Sequence, residues 1–96
     1  MPDFGNDRVM ACSQSDMLRW IRGFTGQTDL VFRDGKVQFT DQGVDFTVTI
    51  EELPIRKLGM VKFQDSRIQF SYPNEQEQRA REWIRVFDHH TQRGGG

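Results

Sequence analysis

The chain has 96 residues, 35% hydrophobic and 28% charged, and eight Phe and two Trp make the apolar part rich in aromatic side chains. This length fits one domain with one modest core, and apolar residues recur too regularly for a disordered protein. With 13 basic and 14 acidic residues the net charge is -1, so no overall field favours nucleic acid or an anionic membrane.

The first predicted elements are a short strand and a helix. Residues 1–6 have a loose composition and are expected to be flexible, and residues 8–12 predict a short edge strand. Ser13 and Asp16 form an S-x-x-D pattern close to a capping box, and the helix that follows is expected to stop at Gly26. Its apolar positions are Met17, Leu18, Trp20, Ile21 and Phe24.

Alternation of period two then predicts three strands joined by tight turns. The strands cover residues 30–33, 36–40 and 44–50, where apolar side chains alternate with polar ones. Asp34-Gly35 is typical of a type I′ hairpin turn, and residues 41–43 reverse the chain again. This stretch is the clearest β-pattern in the sequence.

The alternation stops after Glu51, and the second half is predicted to begin with a short crossover. Apolar residues after Pro54 predict one helical turn up to Gly59. Residues 60–63 and 67–72 then predict a second hairpin.

The last predicted element is an amphipathic helix. Asn74 at the cap and Glu77 three residues later mark its start. Its apolar stripe consists of Ala80, Trp83, Ile84 and Phe87. The glycine-rich residues 92–96 are expected to be non-helical and mobile.

This order of elements predicts an α+β fold. We expect a two-layer sandwich, in which an antiparallel, meander-like sheet of about five strands carries an N-terminal and a longer C-terminal helix on one face. Residues 7–91 form the single domain, between a flexible N-terminus (1–6) and a mobile tail (92–96). The order of elements resembles cystatin-like folds and small secretion-chaperone folds, but no motif accompanies it, so it implies no function.

Two features of the sequence are candidate chemical sites. Neighbouring positions on a helix point about 100° apart, so His89 and His90 cannot readily hold one ion together, and neither a metal nor another cofactor is predicted. Cys12 precedes a helix N-terminus, where a thiol pKa is lowered, but no base can be named beside it, so a small buried hydrophobe is favoured. With no catalytic motif in the sequence, a non-enzymatic protein is favoured.

Two alternatives arise from the tail. Arg93 and the glycines Gly94–Gly96 resemble the tails of ubiquitin-like proteins and sulfur carriers, although a helix instead of a strand leads into them. A single Arg-Gly-Gly also suggests weak RNA binding, but alternation places Phe39, Phe46, Phe63 and Phe70 in the core, where they cannot stack on bases.

The favoured site is the solvent side of the predicted sheet. Alternation places Lys36, Lys62 and Arg67 there, Arg33 joins them across the first turn, and only Asp45 offsets their charge. These four cations predict a docking surface for an acidic protein segment. The sequence therefore predicts a small non-catalytic protein-interaction or assembly module.

The expected partners and cellular location of this module follow from features that the sequence lacks. No apolar run approaches the ~20 residues of a membrane span and no signal peptide is recognised, so no membrane partner is expected. A nucleic-acid partner is not favoured. A single cysteine cannot form an internal disulfide, which favours a reducing, cytoplasmic location.

Overall fold

The computed structural model describes the backbone of residues 4–95 and the side chains of residues 7–91. Within that range the chain forms six strands, two α-helices and one 3-10 turn. In chain order these are β1 (Phe4–Met10), α1 (Gln14–Thr25), β2 (Lys36–Asp41), β3 (Val44–Glu52), β4 (Arg56–Leu58), β5 (Val61–Phe63), β6 (Ser66–Tyr72), the 3-10 turn (Asn74–Gln76) and α2 (Glu77–Gly95). Four strands form an antiparallel sheet in the order β1-β6-β3-β2, and β4 and β5 form a separate hairpin.

Both helices contribute to one core with the inner face of the four-stranded sheet. Inner positions alternate along β2, β3 and β6, so each strand buries one face only. The core is formed by Cys12 before α1, Met17 and Ile21 of α1, Val37 and Phe39 of β2, Val44, Phe46, Val48 and Ile50 of β3, Ile68, Phe70 and Tyr72 of β6, and Ala80, Trp83, Ile84 and Phe87 of α2. The predicted α+β fold is confirmed, with the strands divided four and two.

The first helix begins and ends where its sequence signals predict. The Ser13 hydroxyl accepts a hydrogen bond from the Asp16 backbone N–H at 3.1 Å, and the Asp16 carboxylate accepts one from the Ser13 N–H at 3.1 Å. Gly26 closes the helix at a φ of 75°, and its N–H donates to the Arg22 carbonyl at 2.9 Å. Local capping therefore fixes both ends of α1.

The predicted strand at residues 30–33 is wrong, although the turn after it is confirmed. Asp34 and Gly35 both have positive φ, 53° and 74°, as a type I′ turn requires. Of the four residues before that turn, only Arg33 pairs with the strand after it, through one bridge to Lys36. The Leu30 carbonyl instead accepts a hydrogen bond from the Arg22 side chain at 2.8 Å, so this segment packs against the core without joining the sheet.

The crossover and second hairpin differ from the prediction. The residues after Pro54 form no helical turn: β4 pairs with β5 through a two-residue turn at Gly59, whose φ is 64°. Strand β6 does not pair with β5 but lies between β1 and β3, where pairing with both neighbours buries Ile68 and Phe70. The longer and more apolar ladder outcompetes a local hairpin.

Both ends of the domain are more regular than predicted. The predicted edge strand exists, but it starts at Phe4, so residues 4–6 belong to it, while residues 1–3 lie outside the described range. The 3-10 turn of residues 74–76 precedes α2, so Asn74 is not the N-cap of α2. Residues 92–95 continue α2. Glycine costs about 1 kcal/mol in a helix but keeps the N–H that the i→i−4 hydrogen bond needs, so it does not forbid this continuation. Their mobility stays a prediction, and Gly96 lies outside the described range.

No helix in the described part of the chain is both long and apolar enough to cross a membrane.

Candidate functional site

The four cations predicted to form a docking surface do not share one surface. Lys36 of β2 and Arg67 of β6 lie on the face of the four-stranded sheet opposite the helices, and the bridge at the first turn places Arg33 beside Lys36. Lys62 lies on β5 in the separate hairpin, where its cross-strand partner is Lys57. All four predicted side chains are exposed, but only Arg33 and Lys36 are neighbours.

The open sheet face, the side without helices, carries both signs of charge. Its described side chains are Asp7, Val9, Lys36, Gln38, Thr40, Asp45, Thr47, Thr49, Glu51, Arg67, Gln69 and Ser71. Glu51 is the direct cross-strand partner of Arg67, and Asp7 is that of Gln69. The expectation that only Asp45 offsets the cations is therefore wrong, because β3 alternates through Glu51 and β1 reaches back beyond Asp7. None of the side chains described on this face is aromatic.

A second surface, which sequence reasoning missed, is the hairpin arm formed by residues 56–63. Its turn and the adjoining strand ends expose large apolar side chains: Leu58 is 67% exposed, Met60 100% and Val61 54%. Ile55, just before the arm, is 57% exposed. Single exposed apolar residues are ordinary, whereas Leu58 and Val61 are cross-strand partners with Met60 in the turn between them, and a contiguous apolar surface of this kind commonly marks an interaction site.

The base of the hairpin arm is held by polar contacts. The Arg56 guanidinium donates to the Asp65 carboxylate at 3.0 Å and lies 4.8 Å from the centre of the Phe63 ring. The Leu53 N–H donates to the Asp65 carbonyl at 2.9 Å, and the Gln64 side chain donates to the Leu53 carbonyl at 2.8 Å. These contacts hold the base of the arm in place, although the arm belongs neither to the helix layer nor to the main sheet.

The cross-strand register gives the hairpin arm two chemically different faces. Leu58 lies opposite Val61, and Arg56 lies opposite Phe63, so these four side chains share one face. Lys57 lies directly opposite Lys62 on the other face. Like charges in directly opposed positions destabilise a strand pair, so this placement opposes the stability of the arm.

One signal in the sequence marks the arm. Gly59 is the first residue of a two-residue connection between Leu58 and Val61, and no non-glycine residue in it has positive φ. A glycine at that position is typical of a type II′ hairpin turn. The apolar residues around Gly59 favoured a buried helical turn instead, because their exposure cannot be derived from their spacing.

The environment of Cys12 does not support a reactive thiol. Its side chain is 2% exposed and belongs to the core. Burial raises the pKa of the Cys12 thiol to about 11, and the negative charges of Asp16 and Glu52 act in the same direction. The thiolate is the nucleophile, and with this raised pKa little of it forms at neutral pH. This agrees with Cys12 acting as a small buried hydrophobe.

We expect Cys12 to resist iodoacetamide in the folded protein at pH 8 and to react readily in denaturant, which a mass-spectrometric time course would measure. The folded pKa of about 11 lies above the ordinary value of 9.0. The free energy of unfolding should therefore be unaffected by this group below pH 9 and should fall as the pH rises from 9 to 11. Cys12→Ser is the control for that decline. Fast alkylation of the folded protein would contradict the buried thiol.

The two histidines of α2 are exposed. His90 lies against Phe24, with 5.4 Å between the ring centres, so it extends the aromatic contacts of the core towards solvent. Among the residues that the structure describes, no group of three or more His, Cys, Asp or Glu is placed to hold a metal ion.

A groove of about 520 Å³ runs beside α2 and is the remaining concave surface of interest. Phe24, Trp83 and Val86 give it apolar walls, and Arg79 and Glu82 lie among its polar lining. Glu82 is held by Arg85 at 2.6 Å, which lowers the pKa of its carboxyl group. The groove contains apolar contact area but no arrangement of groups typical of catalysis.

Comparisons with protein-family models, with curated proteins and with solved structures give no match for this chain. The geometry of the surfaces described above is therefore what indicates a function.

Proposed function

We propose that this protein is a small non-catalytic protein-interaction module whose contact element is the hairpin arm. The observation that carries the proposal is the exposure of Leu58, Met60 and Val61 at the end of a clamped hairpin. Full burial of one such side chain is worth about 1.5–3 kcal/mol, so covering three of them contributes usefully against the cost of association. A projecting apolar turn can enter a groove of a partner and act as its central anchor.

The alternative functions receive less support. A carrier tail needs an extended segment that enters an activating enzyme, whereas residues 92–95 continue α2. Base stacking needs exposed aromatic rings, and those described in the main sheet, such as Phe46 and Phe70, face the core. We also propose a reducing location such as the cytoplasm, because the single cysteine is a buried free thiol.

Site-specific photo-crosslinking in cells tests the contact element. A benzophenone amino acid is placed at Met60, and in separate chains at Val9 on β1 and at Val86 on α2. Both control positions are exposed apolar sites, at 58% and 41%. We expect one discrete adduct from position 60 that neither control gives. Equal adducts from all three positions, or none from position 60, would contradict the proposal.

A triple substitution then measures the contribution of the apolar turn to binding. The variant Leu58→Ser/Met60→Ser/Val61→Ser should bind the purified crosslinked partner at least about 100-fold more weakly, because three buried side chains lose their contacts. Calorimetric titration measures this loss, and Val9→Ser/Val86→Ser is the matched control with unchanged affinity. Exposed substitutions alter stability little, so both variants should keep the wild-type far-ultraviolet circular dichroism. Unchanged affinity in the triple variant would exclude the turn as the contact.

A further inference from the structure

We infer that the hairpin arm binds an extended protein segment in which acidic and apolar residues alternate, added as a third strand to the arm. This inference rests on the proposed function and specifies the chemistry of the partner. Three properties of the arm lead to it: the opposed lysines, the apolar opposite face and the unpaired strand edges.

The first property is an excess of positive charge that is only partly compensated. Residues 56–63 contain Arg56, Lys57 and Lys62 and no acidic residue. Arg56 is engaged by Asp65, but no ion pair formed by the described residues includes either lysine. Their direct opposition across the strands destabilises the free arm, and a carboxylate placed beside both would remove that repulsion. Binding of an acidic group is thereby favoured.

The second property is that the two lysines and the apolar side chains lie on opposite faces, with Arg56 beside Phe63 on the apolar face. Lys57 and Lys62 lie on one face, and Leu58 and Val61 lie on the other. Successive side chains of an added strand point alternately to the two faces of the sheet. A segment that satisfies both faces therefore places acidic residues on the lysine side and apolar residues beside Leu58 and Val61.

The third property, the open strand edges, favours a protein partner over a lipid bilayer. β4 and β5 pair only with each other in the described structure, so each keeps one edge of backbone N–H and C=O groups without a strand partner. Within hydrocarbon each unsatisfied group costs several kcal/mol, whereas an added strand supplies the missing hydrogen bonds. Open edges thus favour a peptide over insertion into a membrane.

A titration of the isotope-labelled full chain with a defined peptide tests the inference directly. The probe is an eight-residue peptide of alternating Glu and Val, and the control peptide has Gln in place of each Glu. We expect amide shifts confined to residues 53–65, binding that weakens with added salt, and binding of the control about fivefold or more weaker. Shifts centred elsewhere, or equal binding of both peptides, would overturn the inference. Vesicles with 30% phosphatidylserine are titrated in parallel, and tighter binding to them than to the Glu peptide would also overturn it.

Two charge variants locate the interaction on the arm. Lys57→Gln/Lys62→Gln should remove the preference for the Glu peptide without lowering the thermal midpoint, because the substitution also relieves the repulsion between the lysines. Lys36→Gln/Arg67→Gln neutralises two cations of the open sheet face and should leave that preference unchanged. If the second variant, and not the first, loses the preference, the docking surface predicted from alternation is correct and the arm is not the acidic-segment site.

The same variants keep this inference distinct from the proposed function. A crosslinked partner that the triple turn variant no longer binds, but that Lys57→Gln/Lys62→Gln binds as tightly as wild type, would overturn the acidic chemistry and leave the contact element in place. Loss of partner binding in both variants, together with salt-dependent binding of the Glu peptide, supports the complete inference.

Discussion

Replacing Trp83 by alanine is expected to lower the free energy of unfolding by about 3–5 kcal/mol, a large share of the stability of a small domain. The side chain is 2% exposed and lies at the centre of the aromatic core. Its ring centre is 4.5 Å from that of Phe46, 5.0 Å from Phe24 and 5.1 Å from Phe87. Truncation would leave a cavity that rings from both helices and the sheet cannot all close.

Trp83→Phe separates packing from hydrogen bonding at the same position. The indole N–H donates to the Asp41 carboxylate at 2.7 Å, which ties α2 to the end of β2. Phenylalanine keeps most of the apolar volume but not this donor, so it should cost clearly less than alanine. Denaturant titration of both variants measures the difference. A wild-type midpoint for Trp83→Ala would show that the side chain is exposed in solution.

Gly35→Ala is expected to be the most damaging of the conservative glycine substitutions. The residue has a φ of 74°, and an added Cβ would lie 2.8 Å from the backbone oxygen of Ile50. The left-handed conformation alone costs an L-residue about 1–2 kcal/mol. The contact adds to it, because the Gly35 carbonyl accepts a hydrogen bond from the Ile50 N–H at 2.8 Å, so β3 cannot move away without losing that bond.

Gly26→Ala is the matched control for this prediction. Gly26 has nearly the same φ, 75°, but no atom lies within 4 Å of its added Cβ. The loss of unfolding free energy should therefore be larger for Gly35→Ala than for Gly26→Ala, and the excess measures the close approach of the turn to β3. Equal losses in denaturant titrations would show that the backbone conformation alone limits position 35.

The elements that could be predicted from sequence are those fixed by neighbouring residues. The capping box at Ser13, the turn at Asp34-Gly35 and the alternation from Val44 to Ile50 are local signals, and the structure has each of them. The pairing of β6 with β1 and β3 is a choice between distant segments, which no local pattern encodes. For that reason the second hairpin was placed wrongly.

The candidate site was harder to predict because it depends on faces and exposure. Alternation correctly predicts that Lys36 and Arg67 are exposed. The net charge of the face they share depends also on Asp7 and Glu51, which only the strand pairing places there. Lys62 follows the same alternation but belongs to the other sheet. The hairpin arm was missed because spacing alone does not distinguish an apolar turn that is covered from one that projects.

The position of β6 between β1 and β3 also determines when the domain can assemble during synthesis. The β2–β3 hairpin is local and can form early, but β1 has no neighbour in the sheet until β6 has left the ribosome. Completion of the core is thus delayed until nearly all of the domain has been translated, as expected for a fold dominated by distant pairings. Until then the inner face of β3, with Phe46 and Val48, remains exposed and can contact other nascent chains. A chaperone that protects this protein should therefore bind it before β6 has been translated.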